Sequence, residues 1–309
     1  MQEVATPAGT RQVLRRHGLR LKKGLGQHFL VEPRIVREIV DGAELESGDV
    51  VVEVGPGIGT LTQTLARHAG LVIALELDRA LLPVLAETVG EYPNVRVIQG
   101  DAMRVDLDEL VAGQMPGLTD LPRYKVVANL PYYITTPLLM RFLESGYRIH
   151  SLVLMVQQEV AERILAAPGG KAYGALSVAA QYRTTPFLVT RVPPGVFIPP
   201  PEVASMVVRL VMRTEPAVAV PDEQLYFALV KAAFGQRRKT LLNALSNGGF
   251  GPTKDEWEEM LGDAHIDGRR RGETLSLQEF AAVCGVLWHW KVAQKSAGIL
   301  YTKETAEKD

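Results

Sequence analysis

Apolar residues along this chain follow two alternating periods. Short, valine-rich runs recur at Val50–Val54, Leu71–Leu75, Val95–Ile98, Val126–Ala128 and Leu152–Val156. Near-continuous runs of this kind predict strands buried on both faces, as in a parallel sheet. Between them the apolar spacing lengthens to three or four residues. Pro33 opens a helix with Ile35, Val36, Ile39 and Val40 on one face. A second helix has Leu61 and Leu65 inward and ends near Gly70, and a third covers Asp78 to Val89 with Pro83 in its first turns. A fourth starts at Thr136-Pro137, with Thr136 as N-cap. Two later β-rich segments, Phe187–Val192 and Val203–Val211, read as a closing pair. Strands alternating with helices predict a doubly wound, Rossmann-like α/β sheet.

The pattern changes at both ends. Residues 1 to about 20 show no apolar period and predict a mobile arm. Thr214–Pro221 reads as a linker, and only helical patterns follow, at Glu223–Phe234, Arg238–Leu245, Lys254–Leu261 and Leu277–Trp288. Lys291–Asp309 is polar and expected to fray. The organisation expected is a basic arm at 1–21, a Rossmann-like domain at 22–213, a small all-α domain at 214–292 and a polar tail at 293–309.

Composition narrows the class. No apolar run reaches the roughly 18 residues that span a bilayer, and no apolar stretch follows Arg11, Arg15, Arg16 and Arg20 as a secretory signal would require. Cys284 is the lone cysteine, which excludes disulfides and cysteine-built zinc sites and makes a cytoplasmic setting the expectation. The net charge of −1 hides segregation. Basic residues gather at Arg11–Lys23, at Arg237-Arg238-Lys239 and at Arg269-Arg270-Arg271. A basic face on a near-neutral protein suits nucleic acid.

Two stretches carry chemistry. Gly55-Pro56-Gly57-Ile58-Gly59-Thr60 joins the first strand to a helix, the setting of a nucleotide-type cradle. A dinucleotide fingerprint needs a glycine where Thr60 stands. Glu53 followed by Gly55, Gly57 and Gly59 instead matches the form that serves S-adenosylmethionine. Glu76, about 20 residues past the first glycine, is placed to accept from ribose hydroxyls. Asp101, after the third strand, is placed to accept from the cofactor's adenine amine. The second stretch, Asn129-Leu130-Pro131-Tyr132, follows the fourth strand. The Asn129 side-chain oxygen and the Leu130 carbonyl can each accept one N–H of an exocyclic amine. Pro131 fixes the backbone, and Tyr132 offers a flat face to a base.

Taken in order, several motifs resemble the ribosomal RNA adenine N6-dimethyltransferase family, in its bacterial small-subunit type. They are Lys22-Lys23-Gly24-Leu25-Gly26-Gln27-His28-Phe29-Leu30, the glycine turn, Glu76, Asp101, Asn129–Tyr132, Gln158–Arg163, Val196-Phe197-Ile198-Pro199-Pro200-Pro201 and Ala233–Leu241. The resemblance implies that Gln27, His28 and Leu30 lie over S-adenosylmethionine, that Gly55, Gly57 and Glu76 hold its methionine and ribose parts, and that Asp101 holds its adenine. It implies that Asn129 and Leu130 grip the target amine while Tyr132 and a presented Phe197 sandwich the flipped base. Lys22, Lys23, Arg237, Arg238 and Lys239 are then expected on RNA phosphates, with no metal required. The expected partner is ribosomal RNA in an immature small subunit, met by a monomer. Two alternatives stand beside this reading: a large-subunit enzyme of the macrolide-resistance type, and a non-catalytic assembly or transcription factor on the same scaffold. The Phe-x-Pro-Pro-Pro stretch and the C-terminal domain favour the small-subunit type. Intact Glu53–Gly59 and Asn129–Tyr132 disfavour a pure binder.

Overall fold

A computed structural model of the chain describes residues 4–19, 27–117, 119–236 and 238–296. In chain order the elements are α1 (Pro7–Arg16), β1 (Phe29–Leu30), α2 (Pro33–Gly42), β2 (Val50–Val54), α3 (Thr60–Leu65), β3 (Leu71–Glu76), α4 (Leu82–Val89), β4 (Val95–Gln99), α5 (Leu107–Gly113), β5 (Tyr124–Asn129) and α6 (Thr135–Glu144). They continue with β6 (Ile149–Gln157), α7 (Gln158–Leu165), α8 (Ala175–Arg183), β7 (Thr184–Val192), β8 (Phe197–Ile198), β9 (Ser205–Met212), α9 (Glu223–Gly235), α10 (Leu241–Ser246), α11 (Lys254–Asp263) and α12 (Leu277–Ser296).

Seven strands form one sheet in the order β4-β3-β2-β5-β6-β9-β7. The first five are parallel, and β9 and β7 close the sheet as an antiparallel pair, as the two late segments predict. All five residues of β2 are buried, Glu53 included, which is why the run is apolar without alternation. The chain winds outward from β2 through β3 to β4, then returns to place β5 on the other side of β2. That reversal sets Val54 beside Ala128, so the glycine turn and Asn129 leave the sheet as neighbours. In an open α/β sheet the crevice at such a switch point is where ligands bind.

The N-terminal segment departs from the expected mobile arm. Pro7–Arg16 is a helix, with Pro7 in its first turn and the Thr6 side chain capping Gly9 N–H. Val4 and Val13 pack with Phe29, Ile58, Leu81 and Val84, and the Gln63 side chain accepts from Val4 N–H. Arg16 and His17 both meet Glu87. Two buried valines among Thr, Gly and Arg are too sparse to register as a period. Other boundaries move as well. Thr136 lies inside α6 rather than capping it, and Thr135 Oγ1 donates back to Pro131 O at 3.1 Å. The helix after the Arg237 cluster starts at Leu241 with Thr240 as its cap, and α12 runs on to Ser296, into the stretch expected to fray. No helix among the described residues is long and apolar enough to cross a membrane.

The chain divides into two units, one of residues 1–165 with 184–212, the other of residues 166–183 with 213–309. An unbroken domain from 22 to 213 does not match this division, because α8 belongs to the helical unit. Its Tyr182 ring lies 5.1 Å from that of Tyr226 and 5.2 Å from that of Phe227. Tyr182 Oη donates to Glu223 Oε1 at 3.0 Å, and Arg183 pairs with the same carboxylate. The core of this unit gathers Trp257, Tyr226, Phe280 and Leu287, all essentially solvent-free.

The glycine turn is sterically closed to side chains at one point. Gly59 has φ +87°, and a Cβ there would sit 2.8 Å from Val89 Cγ1 and 3.0 Å from Thr88 Oγ1. Gly59→Ala is expected to cost about 1–3 kcal/mol of unfolding free energy. Gly113→Ala, at the open C-terminal end of α5, is expected to be neutral or stabilising by up to about 1 kcal/mol. Urea melts of both variants check this, and equal midpoints would show that the turn tolerates a side chain.

Candidate active site

The glycine turn and four acidic side chains, Glu53, Glu76, Asp78 and Asp101, shape one side of the crevice. Gly55 and Gly57 adopt φ +71° and +62°, a region open to glycine at little cost. Gly55 N–H donates to Leu75 O at 3.0 Å, which ties the turn to β3. A Cβ on Gly57 would lie 3.2 Å from the Phe29 ring, so that ring is seated directly on the turn. Glu76 ends β3 and is buried. Its Oε2 accepts from Gly57 N–H at 3.1 Å and its Oε1 from Asp78 N–H at 2.8 Å. Burial pushes the Glu76 carboxyl above the ordinary carboxylate range, against the pull of these donors. Asp78 in turn accepts from Gln27 Nε2–H at 3.1 Å, which brings the segment before β1 to the site.

Glu53 is the most unusual group. It is 1% exposed, and its Oε2 has no hydrogen-bond partner among the described residues. Burial, with a smaller contribution from the charge of Glu76, pushes its carboxyl up to about 8. A buried carboxyl with one oxygen unpartnered, held in its neutral form by the crevice, ionises at lower cost when a cation lies beside it. Asp101, after β4, lines the same crevice, accepts from Met103 N–H at 2.9 Å and lies 3.6 Å from Arg104. It therefore serves its own loop and faces the cavity.

The tetrapeptide stands opposite. Asn129 is the last residue of β5, and its Nδ2–H donates to His28 O at 3.2 Å. That bond engages the donor end of the amide and leaves Oδ1 as the end free to accept. Leu130 is buried, with its N–H on Met155 O at 3.3 Å. Tyr132 is half-buried. Its hydroxyl shares a hydrogen bond of 2.8 Å with Ser205 Oγ, and burial raises its pKa. Gln27, His28, Leu30, Glu53, Gly55, Gly57, Glu76, Asp101 and Asn129–Tyr132 all line this one crevice.

Phe197 does not. It is 3% exposed, packed in the core with Leu30, Ile39 and Val192, and its backbone pairs with Leu30 in a small antiparallel ribbon. The neighbouring prolines suggest a presented ring, but the strand pairing turns it inward. The His28 ring stacks on Tyr132 (centroids 5.7 Å apart, planes 26° apart) and lies 6.5 Å from that of Phe197 with the planes 78° apart. Sequence reasoning passes over Asp78, which stands two residues beyond Glu76, and Ser205, for which no sequence signal exists. Of the residues expected on RNA, Lys22, Lys23 and Arg237 lie outside the described residues. Arg238 and Lys239 are exposed in the helical unit. In the second basic run Arg269 is paired with Asp267, and Arg270 with Glu279.

The ribosomal RNA adenine dimethylase family profile matches residues 18–282. A protein named ribosomal RNA small subunit methyltransferase A from Moorella thermoacetica is 56% identical over 290 residues, 94% of this chain and 100% of that protein. Proteins of the same name from Pelotomaculum thermopropionicum (51% identical, 91% of this chain, 96% of that protein) and Alkaliphilus oremlandii (47%, 93% and 99%) are similarly close. Two solved structures, each 24% identical, share the fold. One is a dimethyladenosine transferase from Plasmodium falciparum (TM-score 0.71, 88% of this chain, 99% of that one). The other is the 23S rRNA methyltransferase ErmE (TM-score 0.64, 84% and 99%). On the profile match and on identity over nearly its whole length, the chain belongs to the ribosomal RNA adenine dimethylase family.

Proposed function

We propose that this enzyme transfers methyl groups from S-adenosylmethionine to N6 of adenines in small-subunit ribosomal RNA, two per nitrogen, during ribosome assembly. The carrying observation is the switch point itself. An amide with its acceptor end free and a buried carboxyl with one oxygen unpartnered stand in one crevice, one on each of two neighbouring strands. The name shared by relatives up to 56% identical supports the small-subunit substrate. The large-subunit alternative rests on likeness of fold.

The residues fit the cofactor. Glu53 Oε2 is placed for the ammonium of its methionine part, the glycine turn admits close backbone approach, Glu76 suits ribose hydroxyls, and Asp101 suits the adenine amine. Bound there, S-adenosylmethionine supplies an electrophilic methyl carbon, so the chain need only position and polarise. Asn129 Oδ1 and the Leu130 carbonyl take the two N–H bonds of N6 and aim its lone pair outward. Tyr132 carries one face of the base. An adenine within a helix cannot reach such a pocket, so the base enters unpaired or extruded. Arg238 and Lys239 on the helical unit would meet phosphates and bias the choice of RNA. The enzyme would act as a cytoplasmic monomer on an immature small subunit.

The test is methyl transfer to immature small subunits against naked large-subunit RNA; transfer to the latter alone would sink the substrate assignment. Asn129→Ala is expected to abolish transfer while cofactor affinity stays nearly unchanged, and near-wild-type turnover would remove the amine grip. Glu53 yields a pH prediction. Its carboxyl is held protonated up to about pH 8 when folded, against an ordinary value of 4.5. The folded state thus binds the extra proton within that window, and stability contributed by the protonated form is lost as pH rises through it. Glu53→Gln should flatten this slope, so in thermal melts without cofactor the variant gains on wild type toward alkaline pH. Calorimetry should show cofactor affinity falling roughly tenfold, as for loss of a charged hydrogen bond. Parallel melting curves would show that Glu53 ionises normally.

A further inference from the structure

The sheet has a second concavity, at the end opposite the crevice. Its register sets Lys125 of β5, Ser151 of β6, Val211 of β9 and Thr185 of β7 side by side, so these four side chains leave one face in a row. They line a cavity of about 300 Å³ together with Glu44, just after α2, and Arg209 of β9. Lys125 stands four residues before Asn129, about 13 Å away along β5. We propose that this cavity binds a phosphate group between Arg209 and Lys125, and that the Glu44 carboxylate is its resident stand-in.

Both cations are built into the wall. Lys125 is only 8% exposed, and its Nζ donates to Glu44 O at 2.5 Å and to Asp49 Oδ2 at 2.8 Å. An ammonium has a third N–H beyond these two. Arg209 pairs with Glu44, and its guanidinium lies 5.2 Å from the centroid of the Phe187 ring. A guanidinium braced on an aromatic face presents an oriented fork, the form suited to phosphate. The hydroxyls of Ser151 and Thr185 line the same cavity and make no hydrogen bond among the described residues, so both can donate to a ligand.

Glu44 supplies the opposing charge, and it is poorly anchored. Its side chain is 68% exposed, and its φ of +48° is a backbone region that non-glycine residues seldom adopt. A phosphate brings more charge and more acceptor oxygens to Arg209 than one carboxylate does. The Glu44 carbonyl stays on Lys125 when the carboxylate swings out. Asp49 offsets Lys125, while Arg123 adds a cation at the rim, where its Nη2–H donates to Ile149 O at 3.0 Å. His150 lines the cavity as well. Burial, then the charges of Arg123 and Lys125, hold its imidazole below the ordinary range, against the pull of Asp49. A bound phosphate would reverse that field. Ribosomal RNA and a free nucleotide both present the group.

The experiment titrates inorganic phosphate and adenosine monophosphate into the full chain saturated with S-adenosylmethionine, which keeps both out of the crevice. Calorimetry reads affinity, and NMR follows the His150 imidazole, identified by its loss in His150→Gln. Binding should raise the His150 pKa. Arg209→Met should weaken phosphate about tenfold or more, the loss of a charged hydrogen bond. Glu44→Gln removes the competitor and should strengthen phosphate roughly 3- to 10-fold. Glu46→Gln, the same charge change two residues on at an exposed position, should stay within about twofold. A purely structural ion pair predicts instead that Glu44→Gln lowers stability and leaves affinity unchanged, which would overturn the proposal. Lys125→Met should also weaken phosphate; if it does not fold, the Arg209 and Glu44 variants decide. Binding of small-subunit RNA across salt concentrations separates the sources. A weaker Arg209→Met complex whose salt slope falls by about 0.7–0.9 assigns the phosphate to RNA. Unchanged RNA binding beside weakened adenosine monophosphate assigns it to a free nucleotide. If neither phosphate nor nucleotide moves His150 and Arg209→Met binds RNA as wild type does, the cavity is no phosphate site.

Discussion

Parallel pairing of β2 with β5 is the constraint on which the site depends. Each strand alone ends in an ordinary loop. Because Val54 lies beside Ala128, one loop brings a positive-φ glycine turn backed by Glu53, and the next brings a rigid Asn-Leu-Pro-Tyr segment. Neither strand can shift register without turning its apolar set, since both are buried. The spacing between the glycine turn and Asn129 is therefore set by the sheet's hydrogen bonds, the least adjustable part of the molecule. The loops around it are tied to that frame by single bonds, Gly55 to Leu75, Gly57 to Glu76 and Leu130 to Met155.

Buried charge is distributed unevenly across this frame. Glu76 is desolvated but takes two backbone donors, whereas Glu53, one strand away, leaves an oxygen unpartnered. Two carboxyls of similar origin thus sit in different settings, one taking two backbone donors and the other left with an unpartnered oxygen. Leaving one buried oxygen unpartnered costs folding stability, the kind of local concession found at functional sites.

What the sequence reveals follows from how strongly physics writes each feature. Parallel strands are legible because burial on both faces demands runs such as Val50–Val54, and the crevice residues are legible because glycines, acids and an Asn-Leu-Pro-Tyr segment sit at strand ends. α1 is illegible because its buried positions include Gly9 and Thr10, which carry no apolar signal, leaving Val4 and Val13 as the large apolar residues there. Phe197 misleads because its prolines suggest display, while the deciding fact, a two-residue ribbon with Phe29–Leu30, depends on a partner far away in the chain. The stacking of His28 on Tyr132 is a tertiary juxtaposition with no local trace.

The placement of α8 has a consequence for how this protein can be rebuilt. The helical unit is made from two pieces of chain, with three strands of the other unit, β7, β8 and β9, threaded between them. A cut at the apparent linker near residue 213 would leave Tyr182 and Tyr173 behind and strip Tyr226 and Glu223 of their partners. The unit is thus not a cassette that recombination at one junction can exchange. Its surface can be altered by substitution within it, or exchanged by a double crossover that carries α8 along.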